Sequence, residues 1–139
     1  ICTCLVGSEM CIRDRFMIGG QWVEHPGKIT KFTVNFLDDE LTQGLEDFEI
    51  ETEQYYMHYD PNIEIIATSK FNGKPFSPNN TDFILDPTWI DDIVMPVAWK
   101  KRYGLGRVFN MSIGHDPDEF MKHPDAWILL TRGFIWAMR

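Results

Sequence analysis

Cysteine is missing from almost the whole chain: Cys2, Cys4 and Cys11 all fall within the first 15 of 139 residues. No second cysteine pair follows Cys2-Thr3-Cys4, so a four-cysteine zinc site is excluded. No Gly-x-Cys-x-Gly elbow presents a thiol nucleophile either, which argues against glutamine amidotransferase chemistry. Basic residues are also scarce, 13 against 21 acidic ones, giving a net charge of -8. Such a surface repels phosphate backbones, so nucleic acid is not an expected partner. No uninterrupted apolar run reaches the ~18 residues of a membrane-spanning helix, and no membrane partner is expected. From Phe16 onward there is no internal repeat, low-complexity tract or long block of one charge.

What is present suits one folded domain, with 44% hydrophobic and 14% aromatic residues. Ile29 to Leu37 (ITKFTVNFL) alternates apolar and polar residues and is rich in β-branched types, which predicts a strand. Asp38 to Gly44 reads as a turn or loop. Phe48 to Met57 reads as one further strand, and Ile63 to Ser69 as another after an Asp60-Pro61-Asn62 turn. Lys70 to Pro87, with its prolines and Asn79-Asn80, reads as a long loop. Ile93 to Lys101 and Arg107 to Ile113 are expected to be strands joined through the glycines of Tyr103-Gly104-Leu105-Gly106. No helix follows those glycines, so they predict a hairpin and not a dinucleotide cradle. Pro124 to Met138 predicts a helix, with Pro124 in its first turn and Asp125 at the positive end of its dipole. Trp127, Leu130, Phe134 and Ala137 recur at helical spacing, widened by Ile128 and Ile135, and are expected to form its core face.

The segment from Met95 to Arg139 reads MPVAWKKRYGLGRVFNMSIGHDPDEFMKHPDAWILLTRGFIWAMR. It holds a proline-led strand with a Trp, a Gly-Arg-Val-Phe strand, a Gly-His-Asp turn and a last helix with Arg-Gly and Trp-Ala. In these features it resembles the ThuA (trehalose-utilisation) family. GGQWVEHP (Gly19 to Pro26) is similar to that family's Gly-Gly-x-Phe-x-x-His-Pro motif, with Trp22 in place of the aromatic. ETEQYYMHYDP (Glu51 to Pro61) is similar to its Glu-x-Tyr segment. The resemblance implies a flavodoxin-like, class I glutamine amidotransferase-like three-layer α/β sandwich. Only one strong helix is legible, so residues 16–139 are expected to be the C-terminal part of a single ThuA-like domain whose N-terminal part is missing. Residues 1–15 (ICTCLVGSEMCIRDR) resemble translated sequencing-adapter DNA and are expected to be a non-native segment. The oligomeric state and the compartment are left open, a cytoplasmic one being favoured.

His115, after Gly114 at the end of a predicted strand, is the expected catalytic base, with Asp116 as its partner. The order His115-Asp116-Pro117-Asp118 departs from the His-Pro-Glu of glutamine amidotransferases. The alternative for Asp116 is a helix-capping or turn role. Glu53 and Tyr55, two apart on an alternating strand, share a face and suit sugar recognition: ring faces for C–H surfaces, acceptors for hydroxyls. His25, before Pro26, is expected to line the same cleft or to serve a turn. His123 reads as a neighbour of the helix cap, and Arg107 as either an ion-pair member or a ligand contact. Asn79 and Asn110 match glycosylation acceptors, Asn110 within a predicted strand. A small-molecule sugar is the expected ligand, with no cofactor and no metal. A catalytically inactive scaffold of the same fold, and a metal-dependent hydrolase using His115 and Asp116, are the alternatives.

Overall fold

The computed structural model describes residues 15–72, 87–114 and 116–138. Its strands are β1 (Gly20–Glu24), β2 (Ile29–Phe36), β3 (Phe48–Glu53), β4 (Tyr56–Tyr59), β5 (Glu64–Lys70), β6 (Val94–Tyr103) and β7 (Gly106–Met111). A 3-10 turn, Pro87–Ile90, precedes β6, and helices α1 (Pro117–Lys122) and α2 (Pro124–Ala137) follow β7. Five strands form a curled sheet in the order β3-β2-β5-β6-β7, and β1 pairs with β4 in a separate ribbon. Every strand pairing among the described residues is antiparallel. The result is a mixed α/β arrangement; the parallel layering implied by the resemblance is not formed by these residues.

The sheet is apolar on both faces because each face has its own cover. On one side, Phe32, Val34, Ile50, Ile66, Val97 and Leu129 pack together beneath α2 and the loop around Leu41. On the other, Met57, Phe71, Ile90, Met95 and Trp99 pack beneath the β1–β4 ribbon. The central strand β6 is therefore buried from Met95 to Lys101, as expected for a strand covered on both faces. Gly20 permits this closeness: a Cβ there would lie 2.8 Å from the Trp99 ring, whose Nε1 donates to Ile18 O at 2.8 Å.

Two neighbouring lysines close the end of β6 on opposite faces. Lys100 Nζ lies 2.6 Å from Asp39 Oδ2 and 3.3 Å from Glu64 Oε1, on the α2 side, 5.5 Å above the Trp136 ring. Lys101 turns the other way, to Asp60 Oδ2 at 3.2 Å and to the carbonyl of Phe16. Both ammonium groups are nearly excluded from water, which is tolerable only because each is paired.

Two expectations need correction. Phe48 to Met57 is not one strand. The chain breaks at Gln54-Tyr55, where the buried Gln54 Nε2 donates to Ser69 Oγ at 3.1 Å, and β4 then joins the other sheet. The helix does run over Pro124–Ala137, but its buried residues are Ala126, Leu129 and Gly133. Trp127 and Phe134, expected inside, are 57% and 60% exposed. The reason is steric. A Cβ on Gly133 would come within 2.4 Å of the Phe109 ring, so the helix presses on β7 with its smallest side chains. The β6–β7 hairpin turns at Gly104-Leu105 as expected. The loop predicted over 70–87 lies largely outside the described residues, as does Asn79.

Candidate functional site

Strand register places the sequence motifs at one end of the sheet. Glu53 ends β3 opposite Ile29, and this part of the β2–β3 pair runs past the Lys70–Val94 end of β5 and β6. At the same end β7 leaves the sheet after Met111, Ser112 N donating to Val97 O at 2.8 Å. Gly114 follows with a φ of 88°, and a Cβ there would be 2.6 Å from the Phe120 ring. Glycine is thus required twice over in this turn, by its backbone and by the ring against it.

His115 itself lies outside the described residues. Asp116 is the N-cap of α1: its Oδ1 accepts from Asp118 N at 2.9 Å. The capping role weighed from the sequence is what the structure gives it. Three residues on, Glu119 Oε2 accepts from the buried Thr52 Oγ1 at 2.9 Å. That bond fastens the turn after β7 to the last residues of β3, at the other edge of the curled sheet.

The Tyr55 hydroxyl donates to Glu53 Oε2 at 3.0 Å across the break at Gln54-Tyr55, and not along the single alternating strand from which their shared face was expected. Burial, this hydrogen bond, and the charges of Glu53 and then Glu119 push the Tyr55 pKa up to about 12. The phenol therefore stays neutral at any physiological pH. While it donates to Glu53, its oxygen can still accept from a ligand hydroxyl. Trp22 stands edge-on to Tyr55, ring centres 6.4 Å apart, and stacks on His25 at 5.7 Å. His25 is thus brought to the same corner as Glu53 and Tyr55. Its backbone N–H donates to Glu24 Oε1 at 2.9 Å.

Sequence reasoning missed three residues here: Trp22, Thr52 and Glu119. Trp22 was legible only as a motif aromatic, and nothing in the order of residues signals a contact between Thr52 and Glu119, 67 positions apart. Among the described residues, the buried side-chain atoms without a hydrogen-bond partner are His25 Nδ1 and Thr30 Oγ1. Thr30 lies opposite Thr52 on β2. Thr30 shares its face of β2 with Phe32 and Val34, on the α2 side of the sheet.

The remaining candidates take structural roles. His123 stacks on Phe48 with ring centres 4.9 Å apart at the junction of α1 and α2. Arg107 donates to the Trp136 carbonyl at 3.2 Å and sits 5.2 Å over its ring, tying β7 to the end of α2. Asn110 lies within β7. A polar cleft of about 530 Å³ opens at the opposite end of the sheet, lined by Glu40, Asn62, Glu64, Lys100, Arg102 and Trp136. Its central cation is already neutralised by Asp39 and Glu64, and none of Glu53, Tyr55, His25 and Asp116 lines it. No three His, Cys, Asp or Glu among the described residues are grouped so as to hold a metal ion.

A family model described as ThuA, trehalose utilisation, matches residues 8–137. Comparison with curated proteins finds no match. Among solved structures, a protein described as ThuA-like from Parabacteroides merdae is similar, at 22% identity and a TM-score of 0.54. The alignment covers 86% of this chain and 40% of that one, so the chain spans less than half of that relative's length. At this identity the likeness speaks for the fold alone. The model match spans nearly the whole chain and takes in the Gly19–Pro26, Glu53–Tyr55 and Gly114–Asp116 motifs, and on it the chain belongs to the ThuA, or trehalose-utilisation, family.

Proposed function

We propose that this chain binds or processes a sugar, trehalose or a related disaccharide or keto-sugar, at the corner formed by Glu53, Tyr55, Trp22 and His25. The observation that carries this reading is the neutral Tyr55 hydroxyl held against the Glu53 carboxylate beside an aromatic pair. Carboxylate acceptors, a phenol that donates and accepts, and ring faces for apolar C–H surface are together what a polyhydroxylated ring needs. His115, in the Gly114–Asp116 turn, is proposed as the base of any acid–base step on that sugar, with Asp116 setting the turn by capping α1. A flavodoxin-like three-layer architecture belongs to the same proposal: the outward apolar face of α2 is what a further layer would cover. That face also favours the second reading, an interaction module that has kept the fold without turnover.

Calorimetric titration with trehalose and its 3-keto derivative, with product analysis alongside, tests the reading. Saturable binding that is lost in Glu53→Gln and turnover lost in His115→Ala are expected. Binding without turnover in the unaltered protein favours the interaction module. Absence of binding to either sugar removes the proposal.

A further inference from the structure

The sugar-site reading puts Trp22 in the corner without saying which ligands it selects, and the inference drawn here rests on that reading. Trp22 lies on β1 opposite the buried Met57, yet 49% of it remains exposed. Half an indole left in water is unfavourable by the ordinary measure of apolar burial. Exposure alone does not single it out, since Trp89 and Trp127 are 60% and 57% exposed. Trp127 lies on the outward face of α2, and Trp89 packs beside Tyr56, ring centres 5.6 Å apart. Trp99 is buried, and the Trp136 ring carries the cations of both Lys100 and Arg107. Trp22 alone of the five touches Tyr55, and through it a carboxylate.

Its neighbours also hold it in place. His25 stacks with an interplanar angle of 27°, and Tyr55 meets it at 82°. An aromatic ring fixed on two sides before binding gives up little conformational freedom when a ligand arrives. A ring held upright beside acceptors recognises one particular shape: a cyclic sugar, whose axial C–H groups form an apolar face and whose hydroxyls point to the rim. An open-chain polyol offers the same hydroxyls without that face.

We propose that Trp22 is the stacking platform of the site, taking the apolar face of a pyranose ring while Glu53 and Tyr55 bind its rim hydroxyls, so that the site selects cyclic sugars over open-chain polyols. Trp22 is a specificity-determining residue in this scheme and takes no part in bond making.

The test uses the full chain labelled with 5-fluorotryptophan, titrated with trehalose, its 3-keto derivative and sorbitol. Binding is followed by calorimetry and fluorine NMR, and the Trp22 resonance is identified by its absence in Trp22→Phe. The expected result is a shift of that resonance with the cyclic sugars and none with sorbitol. Trp22→Ala should weaken cyclic-sugar binding roughly three- to tenfold, the worth of one aromatic contact, and Trp22→Phe should weaken it less. If Glu53→Gln abolishes binding while Trp22→Ala leaves it unchanged and the resonance does not move, the platform is wrong and the sugar site stands. Equal affinity for sorbitol and trehalose also overturns the platform. If neither cyclic sugar binds, the site reading fails and the platform falls with it.

Discussion

Replacing Lys100 by Met leaves the Asp39 carboxylate without its counter-charge while keeping the volume of the stem. Asp39 and Lys100 side chains are only 9% and 5% exposed, with 2.6 Å between Oδ2 and Nζ. Breaking such a buried pair from one side costs roughly 3–5 kcal/mol. Asp39 Oδ1 also accepts from Leu41 N at 2.9 Å, which keeps part of the charge solvated by the backbone and favours the lower figure. At roughly 3–5 °C per kcal/mol for a domain of this size, the melting temperature should fall by about 10–15 °C. Adding Asp39→Asn removes the stranded charge and keeps an acceptor for Leu41, so the double variant should be more stable than Lys100→Met alone. The pH dependence has a definite sign. Burial alone would lower the Lys100 pKa, but the hydrogen bond to Asp39 and its charge, then Glu64, raise it above 10.5. A cation whose folded value is raised stabilises fully below the unfolded value and loses that contribution as pH rises through the folded one. The gap between wild type and Lys100→Met should therefore be constant around neutrality and close above pH 10.5. Urea unfolding of the three variants across pH measures all of this. A Lys100→Met protein within ~0.5 kcal/mol of wild type, the usual range of a surface substitution, would refute the buried pair as a determinant of stability.

Three other outcomes follow from the same geometry. Gly133→Ala adds a Cβ 2.4 Å from Phe109; the overlap, costing ~1–3 kcal/mol, should exceed the ~1 kcal/mol gain in helix propensity, and thermal melting should show a net loss that Phe109→Leu relieves. A more stable Gly133→Ala protein would count against the close approach. In ultraviolet titration at alkaline pH, a tyrosinate component near 12 should be present and should vanish in Tyr55→Phe. Because the folded Tyr55 holds its proton above the ordinary value of 10.0, its contribution to stability is lost as pH rises from there through 12. Thr52→Val keeps shape but removes the donor to Glu119, and should cost about 1–2 kcal/mol in denaturant unfolding, with sugar binding weakened in parallel if α1 holds the site.

Local pattern made some of this legible in the sequence. The alternation of Ile29 to Leu37 and the β-branched run Ile63 to Ser69 gave two strands of the sheet, because period-2 burial leaves a signature in the order of residues. Glu53 and Tyr55 do lie together, but across a break in the chain and not on the one strand that their spacing suggested. The break at Gln54 was not, because what stops the strand is a partner, Ser69, brought in by a different strand. Thr52–Glu119 and Lys100–Asp39 were hidden for the same reason, being products of a curled sheet and not of neighbouring residues. Asp116 caps α1 through its bond to Asp118 N, a role that the order of residues alone leaves standing beside the catalytic one.

Helix α2 reverses the usual ranking of which substitutions a helix tolerates. Its contact face is marked by Ala126, Leu129 and Gly133, its outward face by Trp127 and Phe134. A substitution scan of the folded chain should therefore find Ala126 and Gly133, the smallest residues of the helix, sensitive alongside the buried Leu129. Trp127 and Phe134, which a hydrophobicity plot would protect first, should be more replaceable than these. Size at the contact, and not oiliness, sets how near this helix can come to β7.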